Sequence, residues 1–288
     1  MIPAAYVQEW STKAPWPDSR QVEQDLIICR ALCDLFNSPA LAGKIAFRGG
    51  TAINKLLFKH PLRYSEDIDL VQTQKEPIGD TVNAVRDALS WLGKCNRDQA
   101  GHSMHLIFKF SPEAAPESKL KLKVEINTRE QQSLFQIRKY PFEVDSEWYR
   151  GGSEIASFEP EELFGTKLRA LLQRRKNRDL FDLHEGLTQL SMDSSKVIAC
   201  FEHYLSLEEQ PISRAVAEQR MLEKLQRSLI EDIAPLLPPG ITFTEDDAIV
   251  AFGKVWFDLI VRIAGEPWKL SQEVIDELRK KKMPSLLR

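Results

Sequence analysis

The sequence predicts an α+β fold: a mixed sheet with flanking helices in the first half of the chain, then an almost wholly helical second half. Three observations carry this. Apolar or alternating runs of strand length occur at 45–47, 67–71, 104–110, 120–126, 142–144 and 154–158, and nowhere later. Between the early runs lie segments whose apolar residues recur three and four apart, the spacing of helices. From Pro160 onward that spacing takes over, broken at Leu237-Pro-Pro-Gly240 and again at Gly265-Glu-Pro267.

Residues 1 to about 20 hold three prolines and two tryptophans and are expected to lie over the surface as an arm. Gln21–Phe36 is predicted helical from Val22, Leu26, Cys29, Leu32, Cys33 and Phe36. Ile45-Ala46-Phe47 reads as a buried strand. Gly49-Gly50 follows, and Thr51 is expected to cap a helix running to about Lys59, which His60-Pro61 ends. Asp67–Val71 is a strand. Pro77 begins a helix at its first turn, where proline is tolerated, and that helix ends at Gly93. Met104–Phe110 and Leu120–Ile126 read as a hairpin joined by the loop Ser111–Ser118. Phe142–Val144 and Glu154–Phe158 are short strands around Gly151-Gly152, read as a turn. Helices are then predicted over about 160–175, 178–190, 194–206, 212–233, 246–263 and 271–282. Lys280-Lys-Lys282 reads as a frayed tail.

The 288 residues leave room for one large domain or two modest ones. The expected division is 1–158, an α/β core with its arm and first helix, and 159–288, a helical region that completes the site and binds acceptor or partner. A hydrophobic content of 43% and a charged content of 28% are ordinary for a soluble globular protein. A net charge of −3 and a pI near 6.0 exclude a global nucleic-acid signature, so any polyanion site must be a local patch. Cys29, Cys33, Cys95 and Cys200 form no C-x-x-C pair, and Cys29 and Cys33 read as core thiols of a reduced chain. With no signal peptide or membrane span recognisable, the expected location is cytoplasmic, without membrane contact. No histidine pair forms a close metal motif; His102 and His105 can leave one strand face but read as surface residues.

The chemistry concentrates in Phe47–Val71, FRGGTAINKLLFKHPLRYSEDIDLV. Glycine lets the backbone turn sharply and lets another group approach its amides. A glycine turn at a helix start offers outward amides and a favourable dipole to phosphate. In the strand that follows, alternation sets Asp67 and Asp69 on one face and Ile68 and Leu70 on the other. Two carboxylates on one face repel unless a cation sits between them, and magnesium commonly bridges one or two carboxylates and nucleotide phosphates. A phosphate-holding turn followed by a paired-carboxylate strand describes a phosphoryl or nucleotidyl transfer site.

GGTAINK followed by RYSEDIDL resembles the nucleotidyltransferase superfamily typified by DNA polymerase beta. More closely, it is similar to the AbiEii/AbiGii toxin family of abortive-infection and toxin–antitoxin systems, to which the MenT toxins belong. The resemblance covers about Ile45–Leu190. It implies a polymerase beta-like core, a Mg2+ (or Mn2+) ion and an NTP substrate. It also implies Arg48, Gly49, Gly50, Thr51, Arg63 and Ser65 at the nucleotide, and Asp67 and Asp69 as catalytic metal ligands. From alternation alone, Glu125 beside Lys121 and Lys123 reads more readily as a surface residue. The family's later-strand carboxylate implies that Glu125 completes the metal site.

A second constellation begins at Glu159-Pro-Glu-Glu-Leu, a good helix opening. Lys167 falls on its apolar stripe with Leu163, Phe164, Ala170 and Leu171, so it either snorkels out or meets an anion. The resemblance implies that Lys167 contacts nucleotide phosphates and that Arg178, Asp179 and Asp182 match the family's R-D-x-x-D stretch. Asp179 is then a general base or a positioning group. Arg169, Arg174, Arg175, Lys176 and Arg178, with no acid from Lys167 to Arg178, read either as a solvated helix end or as an RNA-backbone patch. The activity implied is transfer of NMP to an acceptor, with tRNA foremost, by a toxin whose antitoxin is a separate protein. Two rivals remain: a small-molecule nucleotidyltransferase like those that modify aminoglycosides, and a non-catalytic nucleotide-binding module.

Overall fold

Strand alternation in the first part of the chain closes into one seven-stranded mixed sheet of order β3-β4-β5-β2-β1-β7-β6. The strands are β1 (Ile45–Arg48), β2 (Asp67–Gln72), β3 (Cys95–Ala100), β4 (Ser103–Phe110), β5 (Leu120–Asn127), β6 (Arg138–Asp145) and β7 (Arg150–Ser157). β1 runs antiparallel to β2 and parallel to β7, β2 runs parallel to β5, and the outer pairs are antiparallel. The computed structural model describes residues 2–113, 115–208, 211–281 and 283–287. Ala114 of the expected hairpin loop and Lys282 at the expected end of the last helix therefore lie outside the described residues.

The chain divides into two compact units, Met1–Glu159 with Leu237–Gly240, and Pro160–Leu236 with Ile241–Arg288. In the first, β5 alternates as its sequence demands: Leu122, Val124 and Ile126 are buried, while Lys123 and Glu125 are half-buried on the opposite face. The flanking helices are α1 (Ala4–Trp10), α2 (Ser19–Phe36), α3 (Gly49–Leu56) and α4 (Ile78–Ala88). A capping box between Asp18 and Gln21 starts α2 two residues before the predicted point. Cys29 and Cys33 are both buried on α2, as core thiols.

Residues 2–18 are not a surface arm. They form α1 and a turn whose Ile2, Val7, Trp10, Ala14 and Trp16 are buried. The indole N–H groups of Trp10 and Trp16 donate to the two oxygens of buried Asp25, at 2.9 and 3.2 Å. Lys55 of α3 donates to the same carboxylate at 2.7 Å. Burial disfavours the charged ammonium, but Asp25 overcomes it and holds the Lys55 pKa above its ordinary value.

Gly151-Gly152 is not a turn but lies inside β7, opposite Val144 and Glu143. The turn falls at Ser146–Tyr149, closed by the Ser146 amide on the Tyr149 carbonyl. Gly151 is required because the Tyr149 ring lies where a Cβ would project, 2.9 Å from its Cζ.

The second unit consists of α5 (Pro160–Gln173), α6 (Arg178–Gln189), α7 (Ser194–Ser206), α8 (Arg214–Lys224), α9 (Glu245–Asp258) and α10 (Ser271–Lys281). α5 and α7 approach closely because residue 165 is glycine; a Cβ there would lie 2.6 Å from that of Cys200. The predicted helix over 212–233 ends at Lys224. Beyond it Ser228 competes for the backbone: its hydroxyl donates to Glu245 and accepts from the Ile230 amide. No helix among the described residues is long and apolar enough to cross a membrane.

Candidate active site

The antiparallel register of β1 and β2 sets Arg48, the last residue before the diglycine, opposite Asp69. Gly49 opens α3 with φ +82°, a conformation L side chains rarely adopt. A Cβ there would also collide with the Asp69 carboxylate, whose Cγ would be 2.9 Å away. Position 49 thus has two independent reasons to be glycine, and the acid lies directly against the turn.

Thr51 is not the cap of α3. The helix already begins at Gly49, with Arg48 as the cap residue, and ends at Leu56 rather than Lys59. The Thr51 hydroxyl sits 1% exposed, 2.6 Å from the Ser65 hydroxyl, and donates to the Asp67 carbonyl at 2.5 Å. It fastens the start of β2 to the first turn of α3. Arg63 is turned inward as well, 3% exposed, with a guanidinium N–H on the Tyr64 carbonyl at 3.0 Å. Arg48 forms an ion pair with buried Glu130, a carboxylate the sequence reading did not single out.

Asp67 and Asp69 are half-buried on one face of β2, with Ile68 and Leu70 buried on the other. The parallel register with β5 places Lys123 opposite Asp67 and Glu125 opposite Asp69. His105 faces Glu125 from β4, and Asp98 faces His105 from β3. A single row across five strands therefore reads Arg48, Asp69, Glu125, His105, Asp98. His105 is a neighbour of the carboxylates, not a detached surface residue; its Nε2 is 3.4 Å from Glu125 Oε2. His102 stands apart in the β3–β4 turn, so the two imidazoles share no strand face.

These neighbours divide the acids electrostatically. Burial, then Asp67 and Glu125, raise the Asp69 pKa against the pull of Arg48 and Lys123. Burial alone would raise Glu125 too, but the Lys123 ammonium 2.9 Å away, with Ser103 and His105, holds it below the usual range. Glu125 thus stands beside the aspartate pair with its charge already compensated, whereas Asp69 carries charge its surroundings do not balance.

Among the described residues, no group of three or more His, Cys, Asp or Glu side chains converges to hold a metal ion. A closed all-protein cage is not what magnesium commonly uses; one or two carboxylates and substrate phosphates suffice. Asp67 and Asp69, two hard oxygen donors on one face of β2, fit that ion.

Within the second unit, Lys167 does not snorkel. It is 5% exposed, with Nζ 3.1 Å from Asp179 and 3.0 Å from Asp182, both fully buried. Arg174 clamps Asp179 through Nε at 2.6 Å and Nη2 at 2.7 Å. Burial would raise Asp179, but Lys167 and Arg174 prevail and hold it well below the ordinary carboxylate value. The five cations of the expected patch differ in their surroundings. Arg169 is buried, 3.2 Å from Glu208 and over the Tyr204 ring, so it faces the interior. Arg174 is committed to Asp179, Arg175 and Lys176 are exposed, and Arg178 is half-buried.

The family described as nucleotidyl transferase AbiEii toxin, type IV TA system, matches residues 30–251. The match runs well past Leu190, where the recognisable motifs end. No curated protein matches the sequence. MenT4, a nucleotidyltransferase toxin of Mycobacterium tuberculosis H37Rv, has a similar structure at 14% identity, with a TM-score of 0.64 and both chains covered completely. JHP933 of Helicobacter pylori is similar at 14% identity and a TM-score of 0.55, over 91% of this chain and 97% of that one. At such identities the likeness speaks for the fold.

Proposed function

Because this chain belongs to the AbiEii nucleotidyl transferase toxin family of type IV toxin–antitoxin systems, we propose that it transfers NMP from an NTP to a hydroxyl of tRNA, releasing pyrophosphate. The observation that carries this reading is the carboxylate pair on one face of β2, with Asp69 directly against Gly49 at the start of α3. Asp67 and Asp69 hold Mg2+ (or Mn2+), which when bound supplies Lewis-acid polarisation of the triphosphate.

The chain's own groups do the rest by positioning and charge placement. The first amides of α3, from Gly49 and Gly50, cradle phosphate oxygens. Thr51 and Ser65 keep that turn fixed to β2, and Arg48 and Arg63 order its flanks. Glu125 stands beside the metal ligands, held by Lys123. Lys167 offsets charge on the departing pyrophosphate, and Asp179 and Asp182 hold its ammonium in place. A carboxylate held as low as Asp179 is a poor proton acceptor, so its role is positioning rather than general base. The partner is a separately encoded antitoxin.

Purified protein, magnesium and each labelled NTP in turn, offered total tRNA or small hydroxyl compounds, tests the reading. Label on RNA is expected, and none in Asp67→Ala or Asp69→Ala proteins that retain the wild-type circular dichroism spectrum. Undiminished transfer by either variant rejects the assignment. Label on a small compound instead, or none with nucleotide still bound, rejects the acceptor or the catalysis.

A further inference from the structure

A cleft of about 460 Å³ opens in the second unit between the C-terminal end of α5, the α5–α6 turn and α8. Its walls carry five cations, Arg174, Arg175, Arg220, Lys224 and Arg227, against one carboxylate, Glu223. On a chain of net charge −3 this is a concentrated local field. Three of the cations come from α8 and the turn after it, within the region expected to bind acceptor or partner.

Part of the arrangement is structural. Arg220 donates to the Leu172 carbonyl at 3.1 Å and Lys224 to the Arg174 carbonyl at 2.9 Å, satisfying carbonyls that the end of α5 leaves open. One N–H each does not exhaust a guanidinium or an ammonium. These bonds fix the two cations at the cleft wall and leave further donors. Arg175 and Arg227 are exposed and form no ion pair among the described residues. Helix-end capping therefore does not account for them.

The lining also says what kind of anion fits. It contains no aromatic ring and only one apolar side chain, Leu172, so it offers no platform for a base. Its remaining members are amides, Gln173, Asn177 and Gln226, which hydrogen-bond phosphate and sugar hydroxyls. Asn177 is 8% exposed, and its buried Oδ1 has no hydrogen-bond partner. Distributed cations, amides and no stacking surface suit a sugar–phosphate backbone better than a nucleotide.

We propose that this cleft holds the sugar–phosphate backbone of the RNA acceptor, with Arg175 and Arg227 as its outer phosphate contacts. The proposal rests on the reading of RNA as acceptor. Arg174 joins the cleft to the Lys167–Asp179–Asp182 cluster, so backbone held here is anchored to the same rigid group of charges.

The test uses the full chain carrying Arg175→Glu and Arg227→Glu together, sparing the two cations that cap α5. Binding of fluorescein-labelled tRNA is followed by anisotropy over a salt series, alongside binding of a fluorescent NTP and thermal unfolding. The expected result is weaker tRNA binding, with the log–log salt slope shallower by about 2, roughly one per lost phosphate contact. NTP affinity and unfolding midpoint should match wild type. An unchanged tRNA affinity and slope overturns the proposal, as does loss of NTP affinity, which would mark a nucleotide site. Wild-type protein that labels tRNA while the double variant labels it equally well sinks the cleft alone. Wild-type protein that neither binds nor labels tRNA sinks the acceptor reading and the cleft with it.

Discussion

Replacing Lys167 by Met removes the one ammonium shared by two fully buried carboxylates, at 3.1 and 3.0 Å. Removing one partner of a buried ion pair costs about 3–5 kcal/mol, because the other charge stays out of water. Asp179 keeps its two-pronged Arg174 contact, while Asp182 loses the Lys167 ammonium. Against a total stability of roughly 5–15 kcal/mol, the variant should unfold at markedly lower urea concentration. Adding Asp182→Asn removes one of the two buried charges and should restore part of the loss. The pH dependence has a definite sign. Asp179 is depressed in the folded state, so its contribution is complete above the unfolded carboxylate value of about 3.9 and lost as pH falls through the lower folded value. The gap between wild type and Lys167→Met should therefore narrow below about pH 4. Urea unfolding followed by circular dichroism from pH 7 to pH 3 measures it. A cost under about 1 kcal/mol at pH 7, or a gap indifferent to pH, would refute the reasoning.

Two further outcomes follow from the first unit. In metal-free buffer Asp69→Asn should raise the thermal midpoint, since burial, Asp67 and Glu125 all disfavour its charge; added magnesium should stabilise wild type and leave the variant unmoved, as calorimetry would show. Gly49→Ala combines a left-handed backbone with a collision against Asp69, and should lower stability by about 1–2 kcal/mol from the backbone alone while displacing the acid and suppressing transfer. Wild-type stability and transfer rate in that protein would contradict the account of the turn.

What the sequence made legible was whatever depends on short-range periodicity. Asp67 and Asp69 share a face because strands alternate, but alternation alone read Glu125 as a surface residue, and its place opposite Asp69 follows from the β2–β5 register. Pairing was hidden. Nothing in the spacing announced that Lys123 would stand opposite Asp67, or that His105 would stand against Glu125, because both follow from inter-strand register. β3, CNRDQA, escaped notice because an edge strand needs no apolar face. Trp10 and Trp16 looked like an arm because their partner, Asp25, is a carboxylate whose burial no local pattern reveals. Lys167 stood out in an apolar stripe, and Asp179 and Asp182 were singled out by the resemblance, but nothing in their spacing paired them with Lys167. The break after Lys224 was missed because Ser228 and Glu245 act through side-chain bonds that leave apolar spacing untouched.

The position of β1 bears on when this protein can first become dangerous to its host. β1 is flanked on one side by β2 and on the other by β7, where the Ser157 hydroxyl donates to the Phe47 carbonyl at 2.7 Å across 110 residues of chain. Contacts of such separation form late, after the entropy of closing the intervening loop has been met. A ribosome working at about 5–20 residues per second needs several seconds to travel from one to the other. Until then the nascent strand that leads into the diglycine has a bare edge on its β7 side.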